Sequence, residues 1–112
     1  MRRFALLVCL AAFAIPAFAG SETFKDVAVV DSNCSMKVAA DPDSHPRACA
    51  LKCAESGFVV ITKDQKILKL DKEGNQKVLA ELKASDKKDH LRVDVTGDVQ
   101  GDTLKVKTIK LL

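Results

Sequence analysis

The sequence predicts a β-rich α+β domain: an OB-like five-stranded barrel of element order β-β-β-α-β-β, with a cysteine-bearing helix inserted between strands 1 and 2. Three observations point there. Leu91, Val93, Val95 and Val99 alternate with polar residues, as do Leu104 and Val106, which is the period of strands with one apolar face. The β-branched runs around Val27–Val30 and Phe58–Thr62 mark further strands. Between the third and fourth strands, Val78, Leu79 and Leu82 fall within one narrow helical stripe, so a short amphipathic helix covers one face or end of the sheet.

The first strand is expected over Thr23–Asp31, ending at the polar stretch before Cys34, and Ser35–Pro46 reads as loop. The run Asp41-Pro42-Asp43-Ser44-His45-Pro46 has helix-start chemistry. Ser44 or His45 suits the cap and Pro46 the first helical position, where a missing N–H costs nothing. That helix is expected to reach about Ser56, with Gly57 taking the left-handed conformation that ends it. Phe58–Thr62 and Ile67–Leu70 form a hairpin over four loop residues, and Asn75–Ala84 is the second helix. In the last hairpin a turn centred on Gln100-Gly101 places Val99 opposite Asp102, Val95 opposite Val106 and Asp94 opposite Lys107. The alternation breaks between Thr108 and Ile109, where a bulge or the strand end is expected.

The N-terminus has the three-part layout of a secretory signal: Arg2 and Arg3, an apolar run from Phe4 to Ala14, and Ala17-Phe18-Ala19 as an A-x-A site. Residues 1–19 are therefore expected to be a signal peptide and 20–112 a single OB-like domain, periplasmic or secreted, with no membrane span after cleavage. A retained anchor is disfavoured because the run is shorter than the ~20 apolar residues a bilayer requires and is followed by Pro16. Cys9 sits in mid-run after Val8, which argues against a lipid anchor.

The formal net charge is +3, and Arg2 and Arg3 supply two of those charges. The chain beyond the leader is nearly neutral, which excludes a nucleic-acid footprint and a polybasic membrane patch. Phe24 and Phe58 are its only aromatic residues, too few for the stacking platforms that grip single strands. Lys83–Lys88 is interrupted by Asp86 and reads as a solvated turn.

Three cysteines remain after the leader, Cys34, Cys49 and Cys53, and an odd count in an exported chain leaves one thiol over. Cys49 and Cys53 are four apart on the expected helix, separated by about 40° and ~6 Å of rise. That is poor geometry for bonding to each other, because a disulfide needs Cβ atoms within ~4.5 Å. Cys34 is the external partner for either one, closing a loop of roughly fifteen to twenty residues worth about 3 kcal/mol.

Three readings suit these cysteines. One is a structural disulfide of Cys34 with Cys49 or Cys53, the third cysteine acting as a small buried hydrophobe. A second is a metal site in which Cys34, Cys49 and Cys53 are joined by His45, suited to zinc, or to copper(I) with thiolates alone. The third is a thiol–disulfide redox role. His45 precedes Pro46, so its backbone is biased to extended conformation and its ring leaves from the helix start. Arg47 and the positive helix N-terminus are both placed to favour thiolate, at Cys49 more than at Cys53.

No nucleophile elbow, zincin signature, phosphate loop or haem motif is present, so the expectation is a non-enzymatic binding or structural domain whose partner is a metal ion or an envelope or extracellular protein. His90 reads as an exposed histidine, and Asp41 and Asp43 as turn and cap residues.

The motifs Asp31-x-x-Cys34, His45-x3-Cys49-x3-Cys53-x3-Gly57, Val93-x-Val95-x-Gly97 and Gly101-Asp102-Thr103-Leu104-x-Val106 together resemble a group of small exported bacterial proteins of unknown function. These pair a three-cysteine module with an OB-like C-terminal portion. The likeness spans most of the chain from Asp31 onward and implies export and fold; it lends no catalytic residue.

Overall fold

β1, Ser21–Asp31, bonds to a neighbour along each edge, and that double pairing closes the sheet into a barrel. The computed structural model describes residues 21–112, so the expected signal peptide at residues 1–19 lies outside the described residues. The other strands are β2 (Phe58–Ile61), β3 (Ile67–Leu70), β4 (Arg92–Gln100) and β5 (Thr103–Leu111). Their order around the closed barrel is β1-β2-β3-β5-β4. All neighbours are antiparallel except β3 and β5, whose parallel seam consists of Lys69 opposite Thr103 and Leu70 opposite Leu104. With a helix between β3 and β4, this is the OB-like β-rich α+β barrel.

Both helical regions differ in detail from expectation. The insertion between β1 and β2 carries a 3₁₀ turn at Ser32–Cys34, a short helix α1 (Ser35–Val38), a 3₁₀ turn at Pro42–Ser44, the helix α2 (Arg47–Lys52) and a 3₁₀ turn at Ala54–Ser56. Pro46 is itself the N-cap of α2, with an extended ψ of 149°, in place of Ser44 or His45. Gly57 ends the region at φ 81° and ψ 174°, positive as expected but extended in ψ, a conformation open mainly to glycine. The second expected helix begins three residues earlier than the sequence pattern suggests: α3 is Lys72–Ala84, because Asp71 caps it by accepting the Gly74 N–H at 3.0 Å. Gly74 packs where a Cβ would lie 2.5 Å from Val106 Cγ2, which lets α3 settle on β5.

The β4–β5 hairpin keeps the expected facing of its apolar residues near the turn, but its register is shifted. Gln100 lies opposite Thr103, Val99 opposite Leu104 and Asp98 opposite Lys105. The bulge falls between Thr96 and Gly97, not at Thr108–Ile109, so that Val95 faces Ile109 and Asp94 faces Lys110. Gly97 causes this: an added Cβ would sit 2.1 Å from the Lys105 carbonyl oxygen, an approach that only glycine permits and that draws the irregularity to its position.

The main core joins Val27, Val29, Phe58, Val60, Leu68, Val93, Val95 and Leu104 of the barrel interior to Val78 and Leu82 of α3. On the opposite face of β1 and β2, Ala28, Val30, Val59 and Ile61 form a second buried cluster, covered by Val38 and Ala39 of the insertion. β2 and the Val27–Val30 half of β1 are thus buried on both sides, which is why they read as unbroken apolar runs while β4 alternates. No helix among the described residues is long and apolar enough to cross a membrane.

The insertion is pinned to the barrel by an ion pair. Arg92 donates from Nε and Nη2 to the two carboxylate oxygens of Asp43 at 2.9 and 2.8 Å, and from Nη1 to the Asp26 carbonyl at 2.8 Å. Hydrogen bonding to Arg92 holds the Asp43 carboxyl below its ordinary value of 3.8. The stabilisation this represents is fully present above that ordinary value and is lost as pH falls through the lower value of the folded protein. Asp43→Asn is expected to cost about 1–2 kcal/mol at neutral pH, a two-pronged contact on a partly exposed pair. Denaturant titrations at a series of pH values check this. The gap between variant and native protein should close on acidification, and a gap that persists in acid refutes the pairing as its source.

Candidate metal centre

Asp31 is the last residue of β1 and the N-cap of the turn beyond it: its Oδ2 accepts the Cys34 N–H at 3.0 Å. The Asp-x-x-Cys spacing is therefore a capping geometry that places Cys34 over the aspartate. The other carboxylate oxygen, Oδ1, shares a 2.6 Å hydrogen bond with His45 Nε2. Asp31 is 0% and His45 6% exposed, so this acid–imidazole pair is sealed from water and ties the insertion to the strand end. His45 adopts the extended backbone expected of a residue before proline, φ −74° and ψ 118°, which turns its ring toward Asp31.

Cys53 arrives from the other end of the insertion. It is the C-cap of α2, at φ −102° and ψ 19°, and its Sγ accepts a 3.8 Å contact from Asn33 Nδ2. Two hydrogen bonds hold the two ends of the insertion side by side, and a third orders the second end. Ser32 N–H donates to the Gly57 carbonyl at 2.8 Å and Asn33 N–H to Ser56 Oγ at 3.1 Å, while that hydroxyl donates to the Cys53 carbonyl at 2.7 Å. One donor atom from each of Asp31, Cys34 and Cys53 lies within 4.8 Å of the others.

Two thiolates on one zinc ion, with Zn–S bonds of ~2.3 Å, are at most about 4.6 Å apart and about 3.8 Å in a tetrahedron. The group therefore needs to close by at most about 1 Å, within reach of side-chain rotation at two half-buried cysteines. A set of two sulfurs and one oxygen suits a borderline ion such as zinc.

No family model matches the chain, and neither curated proteins nor solved structures yield a match. The chemistry of the group itself carries its interpretation.

Of the four residues singled out from sequence, the fold brings Cys34 and Cys53 together and leaves the other two outside the group. Cys49 is exposed on α2. His45 is buried, but its Nε2 is engaged by Asp31 and it does not join the group. Asp31 takes the third place. The signal for choosing Cys53 over Cys49 lies in the strand pairing: Asp31 is opposite Phe58 in an antiparallel pair, so residues close before Phe58 meet residues close after Asp31. Cys34 comes three residues after Asp31 and Cys53 five before Phe58, while Cys49 is four residues further away.

The electrostatics of the two ends also differ from expectation. Burial, and then the charge and hydrogen bonding of Asp31, push the Cys34 thiol above its usual value. The Cys34 thiol thus holds its proton more firmly than an isolated cysteine does. Arg47, anticipated as a thiolate-stabilising charge, instead donates from Nε to the Lys87 carbonyl at 2.7 Å and from Nη1 to the Leu82 carbonyl at 3.3 Å. Its role is to fasten α2 to the end of α3. His90 is exposed as expected, and its ring pairs with Asp89 at 2.6 Å, which raises its affinity for a proton.

Proposed function

We propose that this is an exported, non-enzymatic OB-like binding domain that takes up a soft or borderline metal ion, zinc in the first instance, through Cys34, Cys53 and Asp31. One observation carries the reading: two sulfurs and a carboxylate oxygen, drawn from both ends of an insertion, converge within 4.8 Å. His45 serves as the partner that orients Asp31, the arrangement by which outer-shell groups set ligand geometry. Three protein donors leave a fourth coordination position open to solvent or to a ligand from a partner protein. Copper(I), held by the two thiolates, is the other ion this donor set suits.

Titration of the reduced protein with zinc, followed by calorimetry and native mass spectrometry, tests the proposal. One ion is expected to bind; Cys34→Ser and Cys53→Ser should each weaken binding by more than about 100-fold, beyond what loss of an outer-shell partner does, while Cys49→Ser leaves it unchanged. Equal weakening by Cys49→Ser, or no uptake, overturns it.

A second reading is favoured by the same convergence of sulfurs in a chain with a signal-like leader. In an oxidising compartment Cys34 and Cys53 join as a disulfide that staples the insertion, stabilising the fold by about 3 kcal/mol for a loop of roughly twenty residues. Alkylation of the protein recovered from the envelope separates the two readings: a stapled protein offers Cys49 alone, and a metal-holding protein offers all three cysteines once chelated.

A further inference from the structure

Two of the three donors in the proposed metal group are also the two sulfurs best placed to bond to each other. Cys34 and Cys53 both belong to the set lying within 4.8 Å, and the segments that carry them are tied by the Ser32–Gly57 and Asn33–Ser56 hydrogen bonds. The remaining thiol, Cys49, is exposed and outside that set. Ligand pair and disulfide pair are thus the same pair, and the two states exclude one another. Accepting the metal reading above, on which this rests, we infer that the centre is redox-gated: joining Cys34 to Cys53 expels the ion, and reducing that bond restores the site.

The chemistry balances with a small-molecule disulfide as oxidant. In the loaded form both cysteines are thiolates. One attacks the disulfide of the oxidant, forming a mixed disulfide and releasing one small thiolate; the other then attacks the protein sulfur of that mixed disulfide, closing the Cys34–Cys53 bond and releasing the second. Two electrons pass from the protein sulfurs to the oxidant, and the ion departs with its charge unchanged. Solvent supplies whatever protons the two released thiolates take up. The donor left at the site is Asp31 alone, one oxygen bonded to His45 and the other to the Cys34 N–H, and a single carboxylate so engaged does not retain zinc. For the gate the sulfurs, within 4.8 Å, close to the ~2.05 Å of a disulfide bond, and the ties that assemble the donors also hold them in range.

The experiment loads the reduced protein with zinc, adds oxidised glutathione and follows zinc release with a chromophoric indicator, alongside thiol counting and peptide mapping. Release of one zinc per chain is expected, in step with loss of two thiols and a Cys34–Cys53 linked peptide. Dithiothreitol should then restore uptake, and Cys49→Ser should behave as the native protein does. Zinc retained after the Cys34–Cys53 bond forms, or oxidation that pairs Cys49 with either sulfur, overturns the gate while leaving the metal reading standing. A reduced protein that takes up no zinc at the outset overturns both.

Discussion

Replacing Asp31 by alanine is expected to destabilise the protein by about 2–4 kcal/mol, the cost of leaving a buried ring nitrogen and a capping N–H without their acceptor. The carboxylate has two duties and both fail at once. His45, 6% exposed, keeps a ring nitrogen buried with no partner, and the Cys34 N–H loses the acceptor that caps its turn. A milder change separates them: Asp31→Asn retains an acceptor oxygen and a donor nitrogen in the same volume and should cost less than the alanine variant. In a double-mutant cycle, Asp31→Ala with His45→Leu should recover part of the loss, since an apolar pair leaves no buried polar group unanswered. Equilibrium urea unfolding measures all three. A cost below about 1 kcal/mol for Asp31→Ala is incompatible with the sealed pair, because removal of even an ordinary buried hydrogen-bond partner exceeds that value.

Gly97→Ala is the second large effect, expected at about 3 kcal/mol or more. Its new methyl carbon would lie 2.1 Å from the carbonyl oxygen of Lys105 and 2.9 Å from the carbonyl carbon, both backbone atoms of the paired strand. Nothing flexible can step aside, so either the bulge opens or the β4–β5 ladder separates. Gly101 offers the contrast. It has φ 62° at the exposed hairpin turn with no atom within 4 Å of an added Cβ, so Gly101→Ala meets only the left-handed backbone penalty of ~1–2 kcal/mol. Thermal unfolding of the two variants side by side distinguishes the mechanisms, and equal costs would refute the steric argument at Gly97.

The barrel was legible because its signals are local. Alternation in β4 and β5, the apolar runs of β1 and β2, and the stripe of α3 each arise from a side-chain period that a few residues display. Where expectation and structure differ, a single contact between distant residues decides the matter. The bulge position depends on Gly97 meeting Lys105, and although a glycine within a strand pattern is a bulge signal, the break in alternation at Thr108–Ile109 was the louder one. The start of α3 depends on Asp71, whose Oδ1 accepts from both Gly74 N–H and Val106 N–H.

At the site, composition singled out sulfur and imidazole and passed over the carboxylate. Asp31 closes an apolar strand, where an acidic residue reads as the end of structure; its burial comes only once the insertion folds back and brings His45 against it. As partners for Cys34, Cys49 and Cys53 are interchangeable on a long helix. The early end of α2 at Lys52 and the antiparallel pairing of Asp31 with Phe58 separate them.

The seam between β3 and β5 holds by two residue pairs, whereas every other junction in the barrel is longer. A cylinder of this kind yields first along its shortest join. Amide hydrogen exchange is therefore expected to be faster along this seam than at the sulfur-bearing end, across the wall at β1 and β2. Compliance and chemistry are housed on opposite sides of one small vessel.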